Sequence, residues 1–337
     1  LKQNKKVKSI MTKQYIYLFG PVPSRRFGQS LGVDLTPYKT CSLDCVFCQL
    51  GRTVNKTIHR KAYVPIDAVL SELDTWLRAD GRADYITLSG SGEPTLHAQF
   101  GEILAFIHHN SSIPTALLTN GTLLQQPHVR ASACRADVVK ISLSAWDQDS
   151  YEQINRPHSR LRFDRLIEGQ IAFRKQFKGR LWMEVFLMAG INSQPEQVRK
   201  ISALAEKIAP DCIHLNTAVR PPSEDFALPL SQEKMSALVP LFQIRAEVAA
   251  AFSPGLCRQI RGNEATILAM LRRRPCTAGQ IADGFDMHLN TVSKYLGKLL
   301  QSGRIKAEHG KTGVFYVAID KGETSRNKGF ASRHQYG

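Results

Sequence analysis

Cys41-Ser42-Leu43-Asp44-Cys45-Val46-Phe47-Cys48 is the stretch on which the reading of this chain turns, because three of its 7 cysteines stand there at the spacing Cys-x3-Cys-x2-Cys. The stretch lies between Pro37 and Gly51 as a loop that follows an apolar, strand-like run, Leu31 to Leu35. A loop of this kind can wrap three thiolates around one iron–sulfur cubane. Cubanes ordinarily take four cysteine ligands, so three local ones leave the fourth iron open to a ligand from outside the chain. Two plainer readings stand beside this one: buried, unligated cysteines, or a zinc site with His59 as the nearby fourth ligand. Structural zinc prefers two Cys-x2-Cys pairs or a Cys/His set, and no second pair is present. The remaining cysteines, Cys134, Cys212, Cys257 and Cys276, are scattered without a pairing pattern, which argues for a reducing compartment rather than a disulfide framework.

Outward from that loop, short β-rich apolar runs alternate with longer helical patterns from Tyr15 to about Phe252. This is the signature of βα units around a parallel sheet. The predicted strands are Leu31 to Leu35, Tyr85 to Ser89, Thr115 to Asn120, Val138 to Ser144, Leu181 to Met188 and Cys212 to Thr217. Helices are expected at Ile66 to Leu77, Phe100 to His109, Phe163 to Phe177 and Pro195 to Ile208, with a closing helix from Gln232 to Ala251. Six such units are too few for an eightfold barrel. The expected class is therefore α/β, a partial, open (β/α)6 parallel barrel over 15–252. Residues 253–262, with Pro254, Gly255 and Gly262, read as a linker. Over 263–320, helical patterns at Glu264 to Arg273, Thr277 to Asp283 and Leu289 to Leu300 precede two β-like runs around Gly310 and Gly313. Three helices and a Gly-tipped hairpin predict a small winged helix-turn-helix domain. The polar tail, 321–337, is expected to be disordered.

The 337 residues carry 43% hydrophobic side chains, enough for a globular core and too many for a disordered chain. No apolar stretch reaches the roughly 18 residues a membrane span needs. Leu1 to Lys8 is Lys-rich without the apolar run of a signal peptide, so a cytoplasmic protein is expected. Net charge is +16, and from Arg258 onward 14 Lys and Arg face 6 Asp and Glu. That excess points to a polyanionic partner, nucleic acid before a merely solubilising surface.

Cys-x3-Cys-x-aromatic-Cys, with Phe47 as the aromatic, resembles the hallmark of the radical S-adenosylmethionine (SAM) superfamily. Ser89-Gly90-Ser91-Gly92-Glu93-Pro94 is similar to that family's Gly-Gly-Glu element. The narrower set of Gly20 to Arg26, Asn155-Arg156-Pro157-His158 and Asn216 to Pro222 looks like the branch containing the wybutosine-pathway demethylwyosine synthase and its relatives. The resemblance implies a [4Fe–4S] cluster on Cys41, Cys45 and Cys48 and SAM as cofactor, with Gly92 and Glu93 holding the methionine amino group. It also implies reductive cleavage of SAM to a 5′-deoxyadenosyl radical, driven by an electron donor such as a flavodoxin or ferredoxin.

Alternation along a strand sends neighbours two apart to the same face. On Val138 to Ser144 the apolar Val139, Ile141 and Leu143 should face the helices, leaving Lys140, Ser142 and Ser144 for the barrel interior. Glu184, His214 and Asn216 line up similarly, and Asn120 ends the third predicted strand. Strand ends converge on the active site of such folds. Asn120, Ser142 and Ser144 are thus candidates for the SAM ribose and carboxylate, and Lys140, Glu184 and His214 for catalysis, with Arg220 a further possible substrate contact. Lys140 suits either a Schiff base or neutralisation of a carboxylate, and a Lys140–Glu184 pair could simply close the barrel. Arg25, Arg26, Arg156 and His158 are expected in loops at the barrel mouth, where an acidic substrate is met. Three functions compete: an enzyme modifying RNA, tRNA first; an enzyme acting on a metabolite or protein with a regulatory winged helix; and a non-catalytic iron–sulfur regulator binding DNA.

Overall fold

The computed structural model describes residues 15–24, 26–249, 262–310 and 313–319. In chain order the first half comprises β1 (Leu18–Ser24), β2 (Gly28–Val33), β3 (Thr40–Cys41), β4 (Asn55–Lys56), α1 (Ile66–Arg78), β5 (Tyr85–Leu88), α2 (Phe100–Asn110), β6 (Thr115–Leu118), α3 (Pro127–Ala133) and β7 (Val138–Ser142). There follow α4 (Gln148–Asn155), α5 (Phe163–Gln176), β8 (Arg180–Phe186), α6 (Pro195–Ile208), β9 (Cys212–Asn216), α7 (Gln232–Leu238), β10 (Ala246–Val248), α8 (Glu264–Arg273), α9 (Ala278–Phe285), α10 (Leu289–Gln301), β11 (Ile305–Gly310) and β12 (Gly313–Ala318).

One eight-stranded sheet, in the order β1-β2-β5-β6-β7-β8-β9-β10, carries the first part of the chain. β2 to β10 are parallel throughout, and β1 lies antiparallel on β2. Parallel strands covered by helices read as continuous apolar runs; accordingly Leu31, Ile86, Leu88, Leu117, Val139, Ile141, Met183, Ile213 and Leu215 are fully buried. The sheet has two strands beyond the six expected from the sequence, one at each edge. β1 contains Pro21 and Pro23, which argue against an interior strand and are tolerated on an edge.

The expected helix Gln232 to Ala251 is corrected. It stops at Leu238, a single 3-10 turn over Val239–Leu241 follows, and Ala246–Val248 pairs with β9 as a further parallel strand. Pro240 explains the stop: it has no N–H to donate back along the helix, although Val239 before it keeps helical backbone, φ −54° and ψ −45°.

α8, α9 and α10 enclose a separate core of Ile267, Met270, Leu271, Ile281, Phe285, Val292, Leu296 and Leu299, and β11 pairs antiparallel with β12 beside them. Asn263 caps α8 and Thr277 caps α9, each with a reciprocal bond from the residue three further on. The unit rests on β1: Val22 joins its core, and Arg274 Nη2 donates to the Pro23 carbonyl at 2.8 Å. The expected linker, apart from Gly262, and the tail lie outside the described residues, as does Arg25.

Candidate active site

The cysteine loop is clamped from two sides. The segment leaving α4 accepts its backbone donors, Val46 N–H to the Ile154 carbonyl at 3.0 Å and Asp44 N–H to the Asn155 carbonyl at 3.0 Å, while His158 N–H donates back to the Ser42 carbonyl at 2.9 Å. Arg156 makes this turn possible by adopting a left-handed conformation, φ 45°. From the loop after β9, Ser223 Oγ donates to the Cys45 and Val46 carbonyls at 2.9 and 3.0 Å. Glu224 pairs with both Arg52 and Arg156. The Asn155–His158 and Pro221–Glu224 stretches therefore hold the loop, and Arg156 and His158 are not at an open mouth.

Each sulfur has a side-chain donor aimed at it. Lys39 Nζ lies 3.1 Å from Cys48 Sγ, Asn155 Nδ2 3.2 Å from Cys45 Sγ and Asn120 Nδ2 3.5 Å from Cys41 Sγ. Burial, with Glu93 nearby, pushes the Cys41 thiol up to about 12. Burial raises Cys45 likewise. Bare thiolates are thus disfavoured here, and what stabilises them is iron together with the three donors. The spacing also separates a cluster from a single ion. Among the described residues, ligand atoms of three His, Cys, Asp or Glu groups come within 4.8 Å of one another at Cys212, His214 and Glu247, and not at Cys41, Cys45 and Cys48. A lone tetrahedral zinc at roughly 2.3 Å from each sulfur would need them closer. The donor set fits a cubane.

The Ser89–Pro94 turn packs against this loop, with Ser89, Gly90 and Gly92 half-buried. A Cβ on Gly92 would fall 1.9 Å from the Thr40 carbonyl oxygen, and Glu93 N–H donates to that same oxygen at 3.0 Å. The glycine is needed for contact with the cysteine loop, which is a different reason from the approach of a ligand. The Glu93 carboxylate is buried and already accepts from Thr95 N–H and Oγ, from Thr119 Oγ1 at 2.6 Å and from Asn120 N–H at 2.8 Å. It braces the ends of β5 and β6. Burial nevertheless pushes its pKa up.

Asn120, Ser142 and Ser144 line a narrow cleft with Tyr151 and Asn155 under the loop. Asn120 Nδ2 also donates to Ser42 Oγ at 2.9 Å, and Ser144 Oγ accepts from Phe186 N–H at 3.0 Å, tying β7 to β8. Lys140 and Glu184 belong to a different space, a cavity of about 310 Å³ in the barrel lumen bordered by Cys48, Gln49, Phe47, Phe186, Asn216 and Arg220. Glu184 pairs with Lys140 Nζ and with Arg26 Nη1, both at 2.8 Å, and accepts from Asn216 Nδ2 at 3.3 Å. Although burial alone would raise it, these two cations hold its carboxyl far below the usual carboxylate range. Phe47 stacks on Phe186 at 4.1 Å and forms the apolar wall beside the cysteines.

His214 does not line the cavity. It is buried beside Glu184, its register partner on the neighbouring strand, with Nε2 3.2 Å from Glu247 and 3.8 Å from Cys212 Sγ, and edge-on to Trp182. Burial and the Arg26 charge lower its pKa to about 4. This neutral histidine belongs to the barrel floor, so the catalytic role expected from strand alternation is withdrawn. Sequence reasoning also missed the inward turn of Arg26, the sulfur donors Lys39 and Asn155, and Arg274, which reaches the lumen from the C-terminal unit. The Asn155 motif was visible, its role at sulfur was not; Arg274 sat in a run, Arg272 to Arg274, indistinguishable from a basic surface.

A parallel open barrel with three cysteines at one strand end defines a class of protein. The Radical SAM superfamily model matches residues 35–202, from the end of the first core strand into α6. A UPF0026 protein of Methanocaldococcus jannaschii is 33% identical over 322 residues, 92% of this chain and 97% of that protein. A protein of Brachyspira hyodysenteriae named GTPase Obg is 36% identical over 91% of this chain, and this chain spans 45% of its length. Among solved structures, a radical SAM methyltransferase from Sphaerobacter thermophilus superposes with a TM-score of 0.51 at 18% identity, covering 67% of each chain, a likeness of fold. The chain belongs to the UPF0026 family, within the radical SAM superfamily. Its cofactors are a [4Fe–4S] cluster and SAM. No helix among the described residues is long and apolar enough to cross a membrane.

Proposed function

We propose that this radical SAM enzyme modifies RNA, tRNA first, and that its C-terminal unit is a winged helix-turn-helix that holds the nucleic acid against the barrel mouth. Cys41, Cys45 and Cys48 would hold the cluster, which when bound and reduced would supply one electron for reductive cleavage of SAM and so for radical chemistry on the substrate. The chain's own residues do the rest. The clamped loop keeps three sulfurs in register, Phe47 and Phe186 keep water from that side of the lumen, and the Lys140–Glu184–Arg26 group presents charge to the substrate.

The observation that carries the RNA reading is the placement of the C-terminal unit. It sits on β1 beside the lumen, while Asn290, Thr291, Ser293, Lys294 and Lys298 of α10 stay exposed. Polar and basic side chains on such a helix suit a phosphate backbone and groove edges. The sequence likeness to the demethylwyosine synthase branch points the same way. A cytoplasmic setting and a flavodoxin or ferredoxin as electron source complete the proposal.

The test is anaerobic: reconstitute the cluster, add SAM and a strong reductant, and quantify 5′-deoxyadenosine with and without unmodified tRNA, beside Cys48→Ala. Wild type should form the nucleoside, Cys48→Ala should not, and tRNA should raise its yield severalfold while gaining a mass shift. If tRNA neither binds nor alters turnover, the RNA reading falls and a metabolite or protein substrate takes its place.

A further inference from the structure

We infer that the barrel lumen is an anion-binding site completed by Arg274 from the C-terminal unit, and that it receives a phosphate or carboxylate group of the substrate. Among the described residues, four cationic side chains, Arg26, Lys140, Arg220 and Arg274, border the cavity, against a single carboxylate, Glu184. That carboxylate is fully engaged by Arg26, Lys140 and Asn216. Arg26 is 14% exposed, and its Nε and Nη2 are buried with no hydrogen-bond partner. A guanidinium sheltered from water with donors unmet is costly, and a planar anion is what its fork matches.

SAM brings one carboxylate of its own, but with its ammonium and sulfonium it only offsets the charge of a cluster on three thiolates, so the cofactors together add no net negative charge to the lumen. Around the cations, Phe47, Phe186, Leu118, Ala218 and Val219 give the cavity an apolar wall. A substrate with an apolar body and one anionic group fits that division.

The cations also come from separate parts of the fold. Arg26 follows β1, Lys140 is on β7, Arg220 follows β9 and meets Gln49 Oε1 at 3.0 Å, and Arg274 is the residue after α8. Arg274 reaches the cavity only while its unit is seated, through its own bond to the Pro23 carbonyl and through Arg273, which contacts Asp34 and Ser91. Seating the C-terminal unit and completing the anion site are therefore one event. The inference deepens the proposal above for the same lumen but does not need the substrate to be RNA.

The experiment uses the full chain with its cluster reconstituted and SAM at saturation, and follows Tm against inorganic phosphate and, separately, acetate, at constant ionic strength made up with chloride. Wild type should show a saturable rise with at least one anion. Arg26→Gln and Arg274→Gln should each raise the half-saturating concentration at least tenfold, and the exposed-surface variant Arg165→Gln should behave as wild type. Saturation by phosphate alone assigns a phosphate-bearing substrate, and by acetate alone a carboxylate. If neither anion shifts Tm, or if all variants respond as wild type does, the inference is overturned; should Arg26→Gln fail to fold, Arg274→Gln decides it. The two proposals fail separately, since an anion site without tRNA binding removes the RNA reading alone, and tRNA-stimulated turnover without an anion site removes this one alone.

Discussion

Gly92 has no room for a methyl group, because the atom it would strike is a backbone oxygen, Thr40 O, that cannot rotate away. Gly92→Ala must push the cysteine loop off the end of β5, and overpacking of this kind costs about 1–3 kcal/mol. Its urea midpoint should fall, and iron per chain after reconstitution should drop by more than half; unchanged iron content would show that the contact is incidental. The same scale contains the clearest division between pattern and structure. Cys41, Cys45 and Cys48 were legible because ligand spacing within one loop is a local property. Asn155, the last residue of α4 and distant in sequence, became a sulfur donor only once the end of α4 was brought over the loop.

Elements placed far apart in the chain set the remaining groups. β10 was hidden inside a helical pattern, and with it the origin of Glu247, the neighbour that pairs with His214 across β9 and β10. His214 is also faced by Cys212, Trp182, Arg26, Lys140 and Glu184, and Glu247 is itself paired with Arg245. Because the folded pKa, about 4, lies below the ordinary 6.5, folding favours the neutral ring. Its contribution is present above the unfolded pKa and is lost as pH falls through the window from 6.5 to about 4. Wild type should lose more stability than His214→Gln between pH 7 and pH 4.5 in urea unfolding, and parallel losses would remove the argument.

The α8–barrel contact makes a second prediction at this scale. Arg273 is 3.1 Å from Asp34 and 3.0 Å from Ser91 Oγ, with its guanidinium over the Phe19 ring. Asp34 is buried and keeps its bonds from Ser91. Arg273→Gln should therefore lower stability by about 1–3 kcal/mol, read as a shift in urea midpoint at constant slope. It should also weaken the response to anions, since Arg274 follows directly.

For the whole molecule, the +16 net charge and the basic face of α10 predict electrostatic binding of nucleic acid. The logarithm of tRNA affinity should fall linearly with the logarithm of salt concentration. Replacing Lys294 and Lys298 together should reduce that slope by about one to two units; an unaltered slope would place the contact elsewhere. What the sequence determined by itself was whatever depends on neighbours within a few residues: the cysteine spacing, the alternation of strands and helices, the periodicity that put Lys140 and Glu184 each on the inward face of its strand, and the excess of charge. What only the tertiary structure decided was where side chains spend their hydrogen bonds. Glu93 became a brace, His214 a floor and Arg26 and Arg274 lumen cations, because each of those outcomes depends on which distant segments the sheet brings within reach, and a linear pattern carries no distance across strands.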